Sequence, residues 1–204
     1  MGKNRFYLYY RASNVRVLGP GLRYVIWTQG CKHNCKNCIA PDSHPLDKNG
    51  YWISVDEIYQ EIEKDFFERN IRGITISGGE PFLQVAPLKN LIKKIKEKIK
   101  EKINLDIICF TGFSYEELLK KGDKDINYIL NNIDILIDGK YIEEKNENNY
   151  LRGSSNQNII FLSDRYKVYE NDMKNLKNRN VEYTWKNEKE MFIIGIPHKN
   201  MEEK

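Results

Sequence analysis

The stretch Ile74-Thr75-Ile76-Ser77-Gly78-Gly79-Glu80-Pro81 is a strand running into a glycine turn. Its β-branched residues suit a pleated chain, and the glycines let backbone bend sharply and approach a ligand closely. Directly after it, Leu88, Leu91, Ile92, Ile95 and Ile99 recur at helical spacing, while Lys89, Lys93, Lys94, Lys96, Lys98, Lys100 and Lys102 take the other face. Strand, turn and amphipathic helix in that order make one βα unit, and the same alternation extends in both directions.

Upstream, residues 22–28 form a β-branched and aromatic strand that feeds straight into Gln29-Gly30-Cys31. Ser54-Val55-Asp56-Glu57 is a capping box, opening a helix that buries Ile58, Ile62 and Phe66. Downstream, residues 105–111 are a strand followed by Gly112, and Ser114-Tyr115-Glu116-Glu117 is a second capping box. A helix over 123–131, a strand over 133–137 ending in Asp138-Gly139, and a strand over 158–162 complete the series. The alternation predicts a parallel sheet with right-handed crossovers, and the nearly continuous apolar strands predict helices on its faces. From Val168 the pattern changes: residues 181–185 and 191–196 flank Lys186-Asn187-Glu188-Lys189-Glu190 as a hairpin, with Tyr183 and Trp185 as hairpin packing.

Ligands of such sheets bind at the carboxyl ends of the strands. Both the segment after the first long strand and the Gly78-Gly79-Glu80-Pro81 turn therefore fall at one end. The former carries Cys31, Cys35 and Cys38, spaced C-x3-C-x2-C; the fourth cysteine, Cys109, lies inside an apolar strand and reads as core. Three thiols so close suit a metal or cluster better than disulfides. Structural zinc would need a fourth ligand from His33, His44 or Cys109. A site of three thiols leaves one metal position open to substrate or cofactor.

The 204 residues carry 33 Lys+Arg against 29 Asp+Glu, a net charge of +4, with 40% hydrophobic and 30% charged residues. These values suit an ordinary globular chain and do not by themselves argue for nucleic acid or an acidic membrane. No apolar run approaches the ~18 residues of a spanning helix. The Met-Gly-Lys-Asn-Arg start, without an apolar segment, reads as no signal peptide. The expectation is a cytoplasmic protein with no membrane or nucleic-acid partner.

Cys31-Lys32-His33-Asn34-Cys35-Lys36-Asn37-Cys38 resembles the cluster-binding motif of the radical S-adenosylmethionine superfamily, and Gly78-Gly79-Glu80-Pro81 resembles its second signature, which holds the amino group of the cofactor's methionine moiety. Gly19-Pro20-Gly21-Leu22-Arg23 is similar to the activating-enzyme branch. Leu136-Ile137-Asp138-Gly139-Lys140 and Arg152-Gly153-Ser154-Ser155-Asn156-Gln157 resemble segments of anaerobic ribonucleotide reductase activating proteins. The resemblance implies an incomplete parallel βα barrel of about five or six units, with a core over residues 1–166 and a hairpin extension over 167–204 packed on it.

It further implies that Cys31, Cys35 and Cys38 hold three irons of a 4Fe–4S cluster, and that S-adenosylmethionine chelates the fourth. Asn37, Gly78, Gly79, Glu80, Pro81, Ser154, Ser155 and Asn156 would bind that cofactor. The implied activity is reductive cleavage to a 5′-deoxyadenosyl radical, which takes hydrogen from a glycine of a partner enzyme. Anaerobic ribonucleoside-triphosphate reductase is the expected partner, and a flavodoxin or ferredoxin the expected electron donor, with the lysine-rich helix as either a solvated face or its docking surface. Two alternatives stand beside it: a radical enzyme acting on a peptide or small molecule, and a non-catalytic zinc or nucleic-acid module.

Overall fold

A computed structural model describes residues 3–99, 105–185 and 191–198. Lys100 and Lys102 of the lysine face and the turn at 186–190 lie outside them, as do the side chains of Lys98 and Ile99. The main sheet is built from β1 (Arg5–Val15), β2 (Arg23–Thr28), β3 (Tyr51–Ser54), β4 (Gly73–Gly78), β5 (Asp106–Phe110), β6 (Ile135–Asp138) and β7 (Asn158–Phe161), in the order β3-β1-β2-β4-β5-β6-β7. It is open, as an incomplete barrel should be. The parallel run β2-β4-β5-β6 is shorter than five or six units, because β1 and β3 add antiparallel on one side and β7 antiparallel on the other. The hairpin is present as β8 (Val181–Trp185) and β9 (Met191–Gly195).

Helices α1 (Val55–Arg69), α2 (Val85–Ile99), α3 (Tyr115–Lys120) and α4 (Lys124–Leu130) make the crossovers, and α5 (Glu170–Asn175) precedes the hairpin. Both capping boxes form: the Glu57 amide donates to Ser54 Oγ at 3.1 Å while the Ser54 amide donates to Glu57 at 3.0 Å, and Ser114 with Glu117 repeats the exchange. One face of the sheet packs Tyr24, Ile26, Ile74, Ile76 and Ile107 against Ile58, Ile62, Leu88, Leu91 and Ile92 of the helices. Each fully buried aliphatic side chain there contributes ~1.5–3 kcal/mol. Lys89 pairs with Asp125 and Lys94 with Asp56, so part of the lysine face is tied to neighbouring elements. Among the described residues, no helix is long and apolar enough to cross a membrane.

The opposite face carries Val25, Trp27, Ile108, Ile135 and Ile137, and β9 lays Ile194 and Phe192 onto it. Phe192 packs its ring 4.5 Å from Tyr10 and 6.0 Å from Trp27. Tyr183 and Trp185 pair across the hairpin with Ile193 and Met191, but on its exposed side. At the start of the parallel strands Arg23 is wholly buried. It donates to Asp106 at 2.6 Å, Thr75 Oγ1 at 2.6 Å, and the carbonyls of Ile74 and Pro20. Tyr166 donates to the other Asp106 oxygen at 2.9 Å. Gly19, at φ +139°, fits because a Cβ there would lie 2.6 Å from Ile108 and 2.8 Å from Arg23 Nε. Thr75 Oγ1 in turn donates to the carbonyl of Leu18, which lines the cavity above.

Candidate functional site

A cavity of about 160 Å³ opens at the carboxyl ends of the parallel strands, lined by Cys31, Cys35 and Cys38 together with Gly78 and Gly79. The two sequence signals thus meet in one place. The ends of the next two strands join them through Phe110, Thr111, Gly112 and Gly139. Trp27, Leu18, Ile39 and Ile196 make an apolar wall, and Gly153 and Gln157 close the far side.

The loop leaving β2 and the turn leaving β4 are stitched together through backbone. The Gly79 amide donates to Thr28 and the Glu80 amide to Gly30, both at 2.8 Å, while Gly30 and Cys31 donate to Ser43 and His44. Glycine is required on the turn. Gly78 sits at φ +109°, and a Cβ on Gly79 would lie 2.4 Å from the Gly30 carbonyl oxygen. Gly79→Ala should therefore destabilise the fold by about 1–3 kcal/mol, as overpacking does where the neighbour is backbone that cannot yield. Urea denaturation of the apo chain measures it, and an unchanged midpoint contradicts the close packing.

Glu80 is fully buried at this junction. One carboxylate oxygen accepts from the Phe82 amide and Thr111 Oγ1, both at 2.9 Å; the other accepts from the Gly112 amide at 2.8 Å and His33 Nε2 at 2.7 Å. Pro81 is buried beside it, starting a short 3-10 turn. Asn37 is exposed and donates to Glu143, so it does not line the cavity. Ser154 is buried with its hydroxyl accepting from the Ile142 amide, Ser155 donates to Glu147, and Asn156 donates to the Lys140 carbonyl. The loop's cavity-lining members are Gly153 and Gln157 instead, with Gln157 bridging the Gly153 amide and the Gly139 carbonyl. Trp27, Thr111, Gly112 and Tyr141 also line the cavity without having been singled out as site residues. For Thr111 and Gly112 the signal was at hand, because they follow a parallel strand as Gly79 and Glu80 do.

The donor set suits an iron–sulfur cluster. Burial pushes the Cys31 and Cys38 thiols above their ordinary value; Glu80 and the neighbouring thiols add to this at Cys31, while the His33 amide, donating to Cys31 Sγ at 3.4 Å, pulls it back. Thiolates in such a place need cationic partners, and iron supplies them as the protons leave. Among the described residues no three His, Cys, Asp or Glu gather tightly enough for a single metal ion. Thiolates on separate irons need no such convergence. Cys109, by contrast, is buried on the helix-facing side of β5, and burial raises its thiol well above the ordinary value.

Residues 17–160 match the 4Fe-4S single cluster domain family. The chain belongs to that family. Membership agrees with the resemblance to the radical S-adenosylmethionine superfamily and displaces the zinc alternative. With it come the two implied cofactors, a 4Fe–4S cluster and S-adenosylmethionine. The family member is 44% identical over 82 residues to a pyruvate formate-lyase-activating enzyme of Staphylococcus epidermidis, covering 39% of this chain and 33% of that protein. It is 36% identical over 135 residues to the pyruvate formate-lyase-activating enzyme of Staphylococcus aureus strain USA300, covering 61% and 54%. The chain thus spans a third to about half of the length of these curated relatives. The crystal structure of QueE from Escherichia coli aligns at 15% identity and a TM-score of 0.39, over 53% of this chain and 52% of that one.

Proposed function

We propose that this protein is a glycyl-radical activating enzyme. The observation that carries the reading is the meeting of three thiols and a glycine turn in one strand-end cavity. Cys31, Cys35 and Cys38 would hold the cluster, leaving one iron for S-adenosylmethionine. Bound there, a reduced cluster would supply the one electron that splits a C–S bond of the sulfonium into methionine and a 5′-deoxyadenosyl radical, the species able to take a hydrogen atom from a backbone glycine of the partner and leave the radical on it.

The chain's own residues supply position and dryness. Gly78 and Gly79 bring backbone to the cavity without side-chain bulk. Trp27, Leu18, Ile39 and Ile196 keep water from the reacting carbon. The residues implied to contact the cofactor, Asn37, Pro81, Ser154, Ser155 and Asn156, act in this reading by shaping the loops behind the lining. The division into a core over 1–166 and an extension over 167–204 is retained, with the extension contributing Gly195 and Ile196 to the wall.

The partner we propose is anaerobic ribonucleoside-triphosphate reductase, on the resemblance of residues 136–140 and 152–157. The donor is a flavodoxin or ferredoxin, and the setting an anaerobic cytoplasm. The test is anaerobic reconstitution to about four irons and four sulfides per chain, reduction with S-adenosylmethionine, and incubation with either that reductase or pyruvate formate-lyase. Release of 5′-deoxyadenosine and a glycyl doublet by electron paramagnetic resonance with the reductase are expected. A doublet with the lyase alone reassigns the partner. Cleavage without a doublet on either favours a peptide or small-molecule substrate, and no cleavage by a fully loaded protein overturns the reading.

A further inference from the structure

We propose that His33 is a positioning residue that latches the thiol-bearing loop to the glycine turn after β4, with Glu80 as the catch; its consequence for the cofactor rests on the function proposed above. A carboxylate offers about four lone-pair sites, and at Glu80 all four are taken by donors of the protein itself. Three of those donors come from the ends of β4 and β5. The fourth, His33, comes from between Cys31 and Cys35. Glu80 therefore binds the cysteine loop to the sheet, and an incoming ammonium group meets no free site on it.

The imidazole is built into place. It is 10% exposed and lies edge-on to Phe113 with centroids 4.6 Å apart. Gly112 must be glycine to admit it, since a Cβ there would come within 2.4 Å of His33 Cδ2. With Glu80 accepting, Nε2 is the nitrogen that carries the proton. The backbone of the same residue donates to Cys31 Sγ. One residue thus contacts a cluster ligand through its amide and the glycine turn through its ring. The backbone bond from Glu80 to the Gly30 carbonyl holds the loop only as far as the start of the thiol segment. Within that segment the His33 ring makes the tie to the glycine turn, while Asn37 fastens its far end to Glu143 instead.

Two substitutions separate the hydrogen bond from the packing. His33→Phe keeps an aromatic ring against Gly112 and Phe113 but cannot donate, while His33→Gln places an amide N–H near the position of Nε2. In the apo protein, alkylation of Cys31 and Cys35 by iodoacetamide should run roughly tenfold faster in His33→Phe than in the wild type, as expected for losing a charge-assisted bond, and His33→Gln should restore most of the protection. In reconstituted protein, iron and sulfide content should hold in all three. The KM for S-adenosylmethionine should rise about 10–100-fold in His33→Phe, and the cluster's reduction potential should move.

Equal alkylation rates in wild type and His33→Phe overturn the latch, and so does a His33→Gln variant no better protected than His33→Phe. Protection as expected, with an unchanged KM and potential, overturns its bearing on the cofactor. Protection as expected in a wild type that never cleaves S-adenosylmethionine leaves the latch standing and overturns the function proposed above.

Discussion

Serine at any one of positions 31, 35 or 38 is expected to abolish cluster assembly, and with it cofactor cleavage, whereas Cys109→Ala leaves assembly intact. The contrast follows from where the four thiols sit. Three line the strand-end cavity and one is sealed on the helix side of β5. A hydroxyl is a poor substitute for thiolate toward iron, because soft sulfur ligands are what iron–sulfur clusters select. With Cys31, Cys35 and Cys38 as the only cysteines of the cavity, losing one leaves two anchors where the proposed site needs three. Iron and sulfide assays after anaerobic reconstitution should show at least a ~10-fold loss for each cavity variant, in line with the cost of disturbing a metal site. Cys109→Ala removes one sulfur from a packed core and should cost about 1 kcal/mol of stability with no loss of iron. A cavity serine variant that keeps a full complement of iron and sulfide contradicts the assignment of that residue.

The second large effect concerns folding. Asp106→Ala should destabilise the apo chain by about 3–5 kcal/mol, because it strands a buried guanidinium. Arg23 has no exposed surface, and its remaining acceptors would be Thr75 Oγ1 and two backbone carbonyls. Tyr166 would lose its partner as well; in the intact protein, burial and the Asp106 charge both hold its phenol above the usual range. A loss of that size is a large share of the 5–15 kcal/mol typical of a native domain. The double change Arg23→Met with Asp106→Leu removes both charges together and should cost far less than the sum of the single changes. Urea denaturation of the wild type, Arg23→Met, Asp106→Leu and the double variant closes the cycle, and a separate Asp106→Ala variant within about 1 kcal/mol of the wild type contradicts the burial of the pair. Because Arg23 also holds Thr75, and Thr75 holds Leu18, the loss should be felt at the apolar wall of the cavity.

Local signals made much of this fold legible. The capping boxes at Ser54 and Ser114, the helical stripe of α2 and the apolar strands each declare themselves within a dozen residues, and the structure has them at the expected places. The 11-residue β1 escaped because its apolar residues do not alternate cleanly. Register shifts between Leu8 and Tyr10 and between Ala12 and Val15 break the two-residue period. The antiparallel setting of β7 has no local signal, since strand direction is decided by pairing. In the site, the cysteines and glycines were readable from spacing. The roles of Arg23 and His33 were not, because each depends on a carboxylate brought near by topology, 83 and 47 residues away along the chain. In the loop at 152–157 the polar residues drew attention, yet Gly153, which has no side chain, and Gln157 face the cavity.

The wall of the cavity is finished by Gly195 and Ile196, whereas its thiols belong to the first strand-end loop. Chains are made and begin to fold from the N-terminus. A ribosome must therefore run past residue 196 before those sulfurs gain their full shelter. Until then the three thiols lack that part of their wall. Shelter for a cofactor held there is thereby completed only when the last strand has docked.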